Sequence, residues 1–113
     1  RVFFSAFRSG RGNIFAHKPG AAIASARRAG TTATYDQINK YFSILNMPIV
    51  SSNYWNMVHG SDADDVLKDE EGVQTMKILG QNMSWLLKVI EMGKENGVNH
   101  PELQAKIRTN YIR

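Results

Sequence analysis

Residues 20–32 read Gly20-Ala21-Ala22-Ile23-Ala24-Ser25-Ala26-Arg27-Arg28-Ala29-Gly30-Thr31-Thr32. The first seven are small and mostly apolar, without the period-2 alternation of a half-exposed strand, so they predict a strand covered on both faces. Arg27 through Thr32 break that pattern with charge, glycine and hydroxyls. Beyond the break, Ile38, Tyr41, Phe42 and Leu45 fall at i, i+3, i+4 and i+7, one apolar stripe of a helix over residues 34–46. Thr32 or Thr34 is placed to cap its start. Pro48 stops it, because proline disfavours helical geometry in the residue before it.

Outward from this unit the order continues. Residues 48–54 predict a second strand and 55–60 a loop. Ser61 through Asp65 read as a helix entry, with Asp62, Asp64 and Asp65 at the positive end of the helix dipole. Residues 68–91 predict one long helix whose apolar face is Val73, Met76, Leu79, Met83, Leu86, Leu87 and Ile90. Gly72 and Gly80 each weaken that helix by up to about 1 kcal/mol relative to alanine, and close packing accounts for Gly80. Gly93, Asn96 and Gly97 end it, and His100-Pro101 opens a short charged terminal helix. Upstream, residues 1–8 read as the end of a helix carrying Phe3, Phe4 and Phe7, stopped by Ser9-Gly10. Alternating strands and helices with apolar strands predict an α/β fold with a parallel sheet. Two strands are marginal alone, so the remaining strands are expected upstream in the same polypeptide or in a partner chain.

Composition restricts the possibilities. The chain has 113 residues, 42% hydrophobic and 21% charged, the profile of a folded domain of ordinary size or less. No run approaches the roughly 20 apolar residues of a membrane span. Cysteine is absent, which removes disulfide, thiol and iron–sulfur chemistry from this stretch and fits a cytoplasmic location. Residues 1–35 hold Arg1, Arg8, Arg11, Lys18, Arg27 and Arg28 and no acid. Such a basic segment suits a phosphorylated cofactor, a nucleic acid or an acidic partner, or is simply a solvated surface.

Two stretches are the main candidates for chemistry, and a third segment and the histidines are weighed beside them. In open α/β sheets ligands bind at the carboxyl ends of strands, which is where Ser25, Ala26, Arg27, Arg28, Ala29, Gly30, Thr31 and Thr32 stand. Gly30 lets backbone approach a flat ligand, the helix start favours an anionic or electron-rich group, and Arg27 and Arg28 are placed to pair with negative charge. The competing reading is an ordinary strand–helix turn with two solvated arginines. Tyr54 and Trp55, expected past the end of the second strand, are placed to wall a planar cofactor or to cover an apolar edge. Residues 8–13, Arg-Ser-Gly-Arg-Gly-Asn, lack the Gly-Lys-Ser/Thr of a P-loop. His17, His59 and His100 have no ligand spacing, so no metal site is expected.

The strings GAAIASARRAGTT (20–32), YDQINKYF (35–42), MPIVSSNYWNM (47–57) and DEEGVQTMKILGQNMSWLLK (69–88) in succession resemble the C-terminal half of the NADPH-dependent FMN reductase-like family, over about residues 1–90. The resemblance implies a flavodoxin-like three-layer sandwich with a parallel sheet. This chain would supply the last two strands and their helices as a unit over 1–92, followed by a tail over 93–113. It further implies FMN bordered by the loop from Ala26 to Thr32, with Tyr54 and Trp55 near the rim. NAD(P)H would be the electron donor, and a quinone, a flavin or a redox protein the small acceptor. A homo-oligomer is expected, with Phe3, Phe4 and Phe7 candidates either for the contact or for burial within one subunit. The family's phosphate-binding loop and the ring's other wall lie upstream of these residues. No acid–base catalyst is assigned, since the flavin carries the chemistry. Two rivals remain: a flavodoxin-like electron carrier without NAD(P)H oxidation, and a non-redox basic binding fragment. No nucleic-acid motif and no membrane segment is found.

Overall fold

The computed structural model describes residues 13–105, together with Ser5, Ile107 and Thr109. Apart from Ser5, the expected helix end over 1–8 with Phe3, Phe4 and Phe7 lies outside the described residues, as does most of the segment 8–13. The elements are β1 (Ala24–Ala26), α1 (Thr31–Ile44), β2 (Met57–His59), α2 (Ala63–Lys68) and α3 (Glu70–Glu95). β1 and β2 are parallel, with Ala24 opposite Met57, Ser25 opposite Val58 and Ala26 opposite His59. The fold is thus mixed α/β, with a parallel two-stranded layer and these three helices among the elements of the described residues.

The ladder begins earlier than its regular part. Gly20 bridges Ile49 in the same parallel sense: Gly20 N–H donates to Pro48 O and Val50 N–H to Gly20 O. Between this bridge and β2, residues 50–56 stand opposite only 21–23. The surplus forms an excursion, and Asn56 repairs it. Its Nδ2 donates to Ala22 O at 3.0 Å, and its own carbonyl accepts from Ala24 N–H at 3.0 Å. The side-chain amide stands in for the backbone donor a regular strand would present. Asn56 is fully buried, and its Oδ1 lies 2.7 Å from Ser52 Oγ. The second strand is therefore not the expected 48–54. It pairs at Ile49, leaves the ladder, and returns over residues expected as loop.

Small residues explain the packing on β1. A Cβ on Gly20 would come within 3.2 Å of the Phe42 ring and 3.0 Å of Met47 Cε, so α1 rests directly on this backbone. Ala22, Ala24, Phe42, Leu45 and Val50 are buried there. On β2, Val58 packs against Gly72 of α3: a Cβ on that glycine would stand 2.9 Å from Val58 Cγ1. Gly20 and Val58 face opposite sides of the ladder, which puts α1 and α3 on opposite sides too. The expectation of a strand covered on both faces is corrected: Ile23 is 53% exposed between buried Ala22 and Ala24. Helices cover β1 on one side only among the described residues.

Helix boundaries differ from expectation at three places. α1 starts at Thr31, earlier than 34, with Gly30 as N-cap and no side-chain cap, so neither Thr32 nor Thr34 caps it. The long helix starts at Glu70 rather than 68, separated from α2 by Asp69, whose ψ of 79° ends α2 and whose side chain caps α3. The entry by acids holds: Asp62 accepts from Asp65 N–H at 2.9 Å. α3 runs on to Glu95, past the expected unit end at 92, and Asn96 and Gly97 follow it. Of its expected apolar face only Leu79 is buried, while Leu87 and Ile90 are exposed. Gly80 has no heavy atom within 4 Å of a built Cβ, so close packing does not explain it. Residues 101–105 are not helical.

Candidate functional site

The residues singled out at the end of β1 run through one stretch of chain that is exposed apart from half-buried Ala26 and buried Thr31. Ser25 is exposed and Ala26 half-buried at the strand's last positions. Ala26 O accepts from Gly60 N–H at 3.2 Å, tying the exits of β1 and β2 together. The chain then bends through Arg27, Arg28 and Ala29, all exposed, into Gly30. Gly30 has φ 94°, the left-handed region that glycine enters without steric cost. Its carbonyl accepts from Thr34 N–H, and nothing lies within 4 Å of a built Cβ. Thr31 is buried and Thr32 exposed.

Electrostatics at this point are positive. α1 has no acid in its first turn and no side-chain cap. The first N–H groups of a helix lack intrahelical partners, and the aligned peptide dipoles add partial positive charge there. Arg27 and Arg28 stand beside this terminus.

The exit of β2 adjoins the same surface. Arg27, His59, Gly60, Ser61, Asp65, Lys68 and Asp69 line an open depression of about 380 Å³. Gly60 is required here, since a Cβ would meet Val66 N at 2.5 Å and Val66 Cγ2 at 2.8 Å. A second depression, of about 240 Å³, is lined by Tyr54, Met57, His59, Asp69, Glu71, Gly72 and Thr75. The two share His59 and Asp69.

Asp69 fixes this junction. Its Oδ2 accepts His59 N–H at 2.8 Å and its Oδ1 accepts Gly72 N–H at 2.9 Å. The Gly72 and His59 backbone bonds hold its carboxyl below the usual range, with a smaller favourable contribution from the His59 charge and an opposing one from burial. His59 Nδ1 lies 3.9 Å from Oδ2, an electrostatic neighbour rather than a hydrogen-bond partner.

Tyr54 and Trp55 do not stand where expected. They belong to the excursion that precedes β2, not to the segment after its carboxyl end. Their rings are 5.0 Å apart at 48°, each about half exposed (52% and 49%). Tyr54 reaches the second depression, and Trp55 lines neither of the two. The structure thus keeps Ser25 through Thr32 together, joins Arg27 to His59 and Asp69, and leaves the aromatic pair on the far side of that junction. His59, Asp69 and Thr75 were not anticipated. The sequence signal for Asp69 was an acid three residues before Gly72 and followed by Glu70 and Glu71, a helix N-terminus pattern masked by continuing helical periodicity.

No protein-family model, curated protein or solved structure matches the chain.

Proposed function

We propose that the chain is the C-terminal part of a flavodoxin-like, FMN-dependent oxidoreductase that passes electrons from NAD(P)H through bound FMN to a small acceptor. The observation that carries this reading is the exit of β1, where two arginines, a left-handed Gly30 and an uncapped helix start meet on one exposed surface. The sequence resemblance supports it and names the cofactor.

The residues present fit one border of a flat, electron-rich group. Open space around Gly30 admits close approach. The free N–H groups at the start of α1 are directional donors, and Arg27 and Arg28 balance negative charge that arrives with an electron pair. Bound FMN would supply the hydride chemistry. Ser25, Ala26 and Ala29 would line the border without polar side chains beyond the Ser25 hydroxyl, and Thr31 and Thr32 would present the helix start. Tyr54 and Trp55, separated from this loop by the His59–Asp69 junction, have a weaker claim to the cofactor. The upstream half, in the same polypeptide or another chain, would complete the site, and a homo-oligomer remains part of the proposal.

Steady-state NADPH oxidation with an artificial quinone acceptor tests the activity. Turnover that depends on added FMN and falls at least tenfold in Arg27→Ala/Arg28→Ala supports the reading. Bound flavin without NADPH oxidation would leave an electron carrier instead.

A further inference from the structure

Two histidines far apart in sequence meet at the end of the ladder where Gly20 enters it. Upstream of Gly20, the loop over residues 13–19 is fastened to the end of α1: Asn13 Nδ2 donates to Leu45 O, and His17 N–H donates to Asn46 O at 2.9 Å. His17 has φ 64°, a left-handed backbone uncommon for a residue with a side chain. Downstream, α3 ends in a Schellman turn. Gly97, at φ 80°, donates its N–H to Lys94 O, and Val98 N–H donates to Gly93 O at 2.8 Å. Three residues beyond this turn, His100 lies on His17: the ring centroids are 5.0 Å apart and the planes 15° from parallel. One stack therefore links the segment beyond α3 to a loop fixed on α1, and those two helices lie on opposite sides of the ladder.

The stack is not chemically closed. His17 Nε2 is buried and has no hydrogen-bond partner, and a buried polar atom left so calls for a reason. The charged residues on the elements that meet here are Lys18 on the same loop, Lys40 in α1, Glu91, Lys94 and Glu95 at the end of α3, and Glu102 in the tail. Among the described residues no carboxylate oxygen comes within 4.0 Å of a nitrogen of either ring; the histidine with such a neighbour is His59.

An imidazole takes up a proton between about pH 5 and about pH 8. With both rings charged, like charges would face each other across 5.0 Å, and His17 would carry an N–H on a buried nitrogen that has no acceptor. The docked tail therefore holds fewer protons than the released one. Docking is complete above that range and is lost as pH falls through it. We propose that His17 and His100 form a clasp that holds the segment beyond α3 at neutral pH and frees it on acidification. This inference does not rest on the flavin reading, whose loop lies at the opposite end of β1.

The test uses the full chain, which has no cysteine, so that Gln104→Cys takes a single nitroxide spin label in the tail. Electron paramagnetic resonance reads the motion of the label from about pH 8 to about pH 5, with helical circular dichroism measured beside it. The expected result is a label slow at neutral pH and at least about twofold faster at acid pH, with the helical signal unchanged. His100→Phe keeps a flat ring that binds no proton, and should hold the label slow over the whole range. His100→Ala should leave it fast over the whole range. The proposal is overturned by a label whose motion is the same at both ends of the range, or by the same acid transition in His100→Phe. It is also overturned if the helical signal is lost together with the release, which would make the event global unfolding.

Discussion

Asp69 joins two elements through one carboxylate: Oδ2 takes the N–H of His59 at the end of β2, and Oδ1 takes the N–H of Gly72 in the first turn of α3. Asp69→Ala leaves both donors without their partner and removes the helix cap, so it should cost about 1–2 kcal/mol. Asp69→Asn keeps one oxygen and should cost less than the alanine variant. Urea unfolding at neutral pH checks the order.

The same carboxylate predicts a pH dependence. Its folded value is lowered by the Gly72 and His59 backbone bonds, whereas the unfolded value is about 3.9. A lowered folded value means a contribution fully present above about pH 4 and lost as pH falls through the depressed folded value. Urea midpoints for the wild type should decline below about pH 4, and Asp69→Asn should show a shallower decline across that window.

Two glycines of α3 should respond with opposite sign. A Cβ on Gly72 would collide with the Asp69 carboxylate and stand 2.9 Å from Val58 Cγ1. Gly72→Ala should therefore destabilise, by roughly 1–3 kcal/mol as overpacking does. Gly80 sits in the helix interior with open space and an ordinary helical backbone, so Gly80→Ala should stabilise by about 0.5–1 kcal/mol. Thermal unfolding of the two variants side by side decides this.

Asn56 carries the ladder across the excursion. Asn56→Ala strips the donor from Ala22 O beneath a buried side chain, a loss of about 1–3 kcal/mol. Amide exchange at Ala24, whose N–H bonds the Asn56 carbonyl, should speed up in the same variant.

The parts of the fold legible in the sequence are those encoded by local periodicity. The α1 stripe was readable from Ile38, Tyr41, Phe42 and Leu45, and Phe42 and Leu45 are buried as expected, although Tyr41 is 52% exposed. Asp62 as a helix entry was readable because its hydrogen-bond partner is three residues away. What was not legible depends on distant partners. Nothing near residue 56 reveals that its amide serves the carbonyl of Ala22, which lies 34 positions earlier. Local pattern accordingly points to a second strand over 48–54, where β-branched and apolar residues begin, and says nothing of its return over Met57–His59. The packing role expected of Gly80 belongs to Gly72, because the sequence does not say which face of α3 meets Val58. The turn out of β1 is legible, since a strand followed by a helix fixes its own exit, but it spans only residues 27–30, with Ser25 and Ala26 in the strand and Thr31 and Thr32 in the helix. Its neighbours His59 and Asp69 come from the exit of β2 and the cap of α3, close in space and distant in sequence.

The central claim is a flavin held at the exit of β1. Equilibrate the protein with excess FMN, remove unbound flavin by gel filtration, and record the visible spectrum of the protein fraction, for the wild type and for Arg27→Ala/Arg28→Ala. The account predicts yellow wild-type protein near one flavin per chain and a marked loss in the double variant at unchanged helical content. Colourless wild-type protein that is folded, or equal flavin content in both proteins, would contradict it.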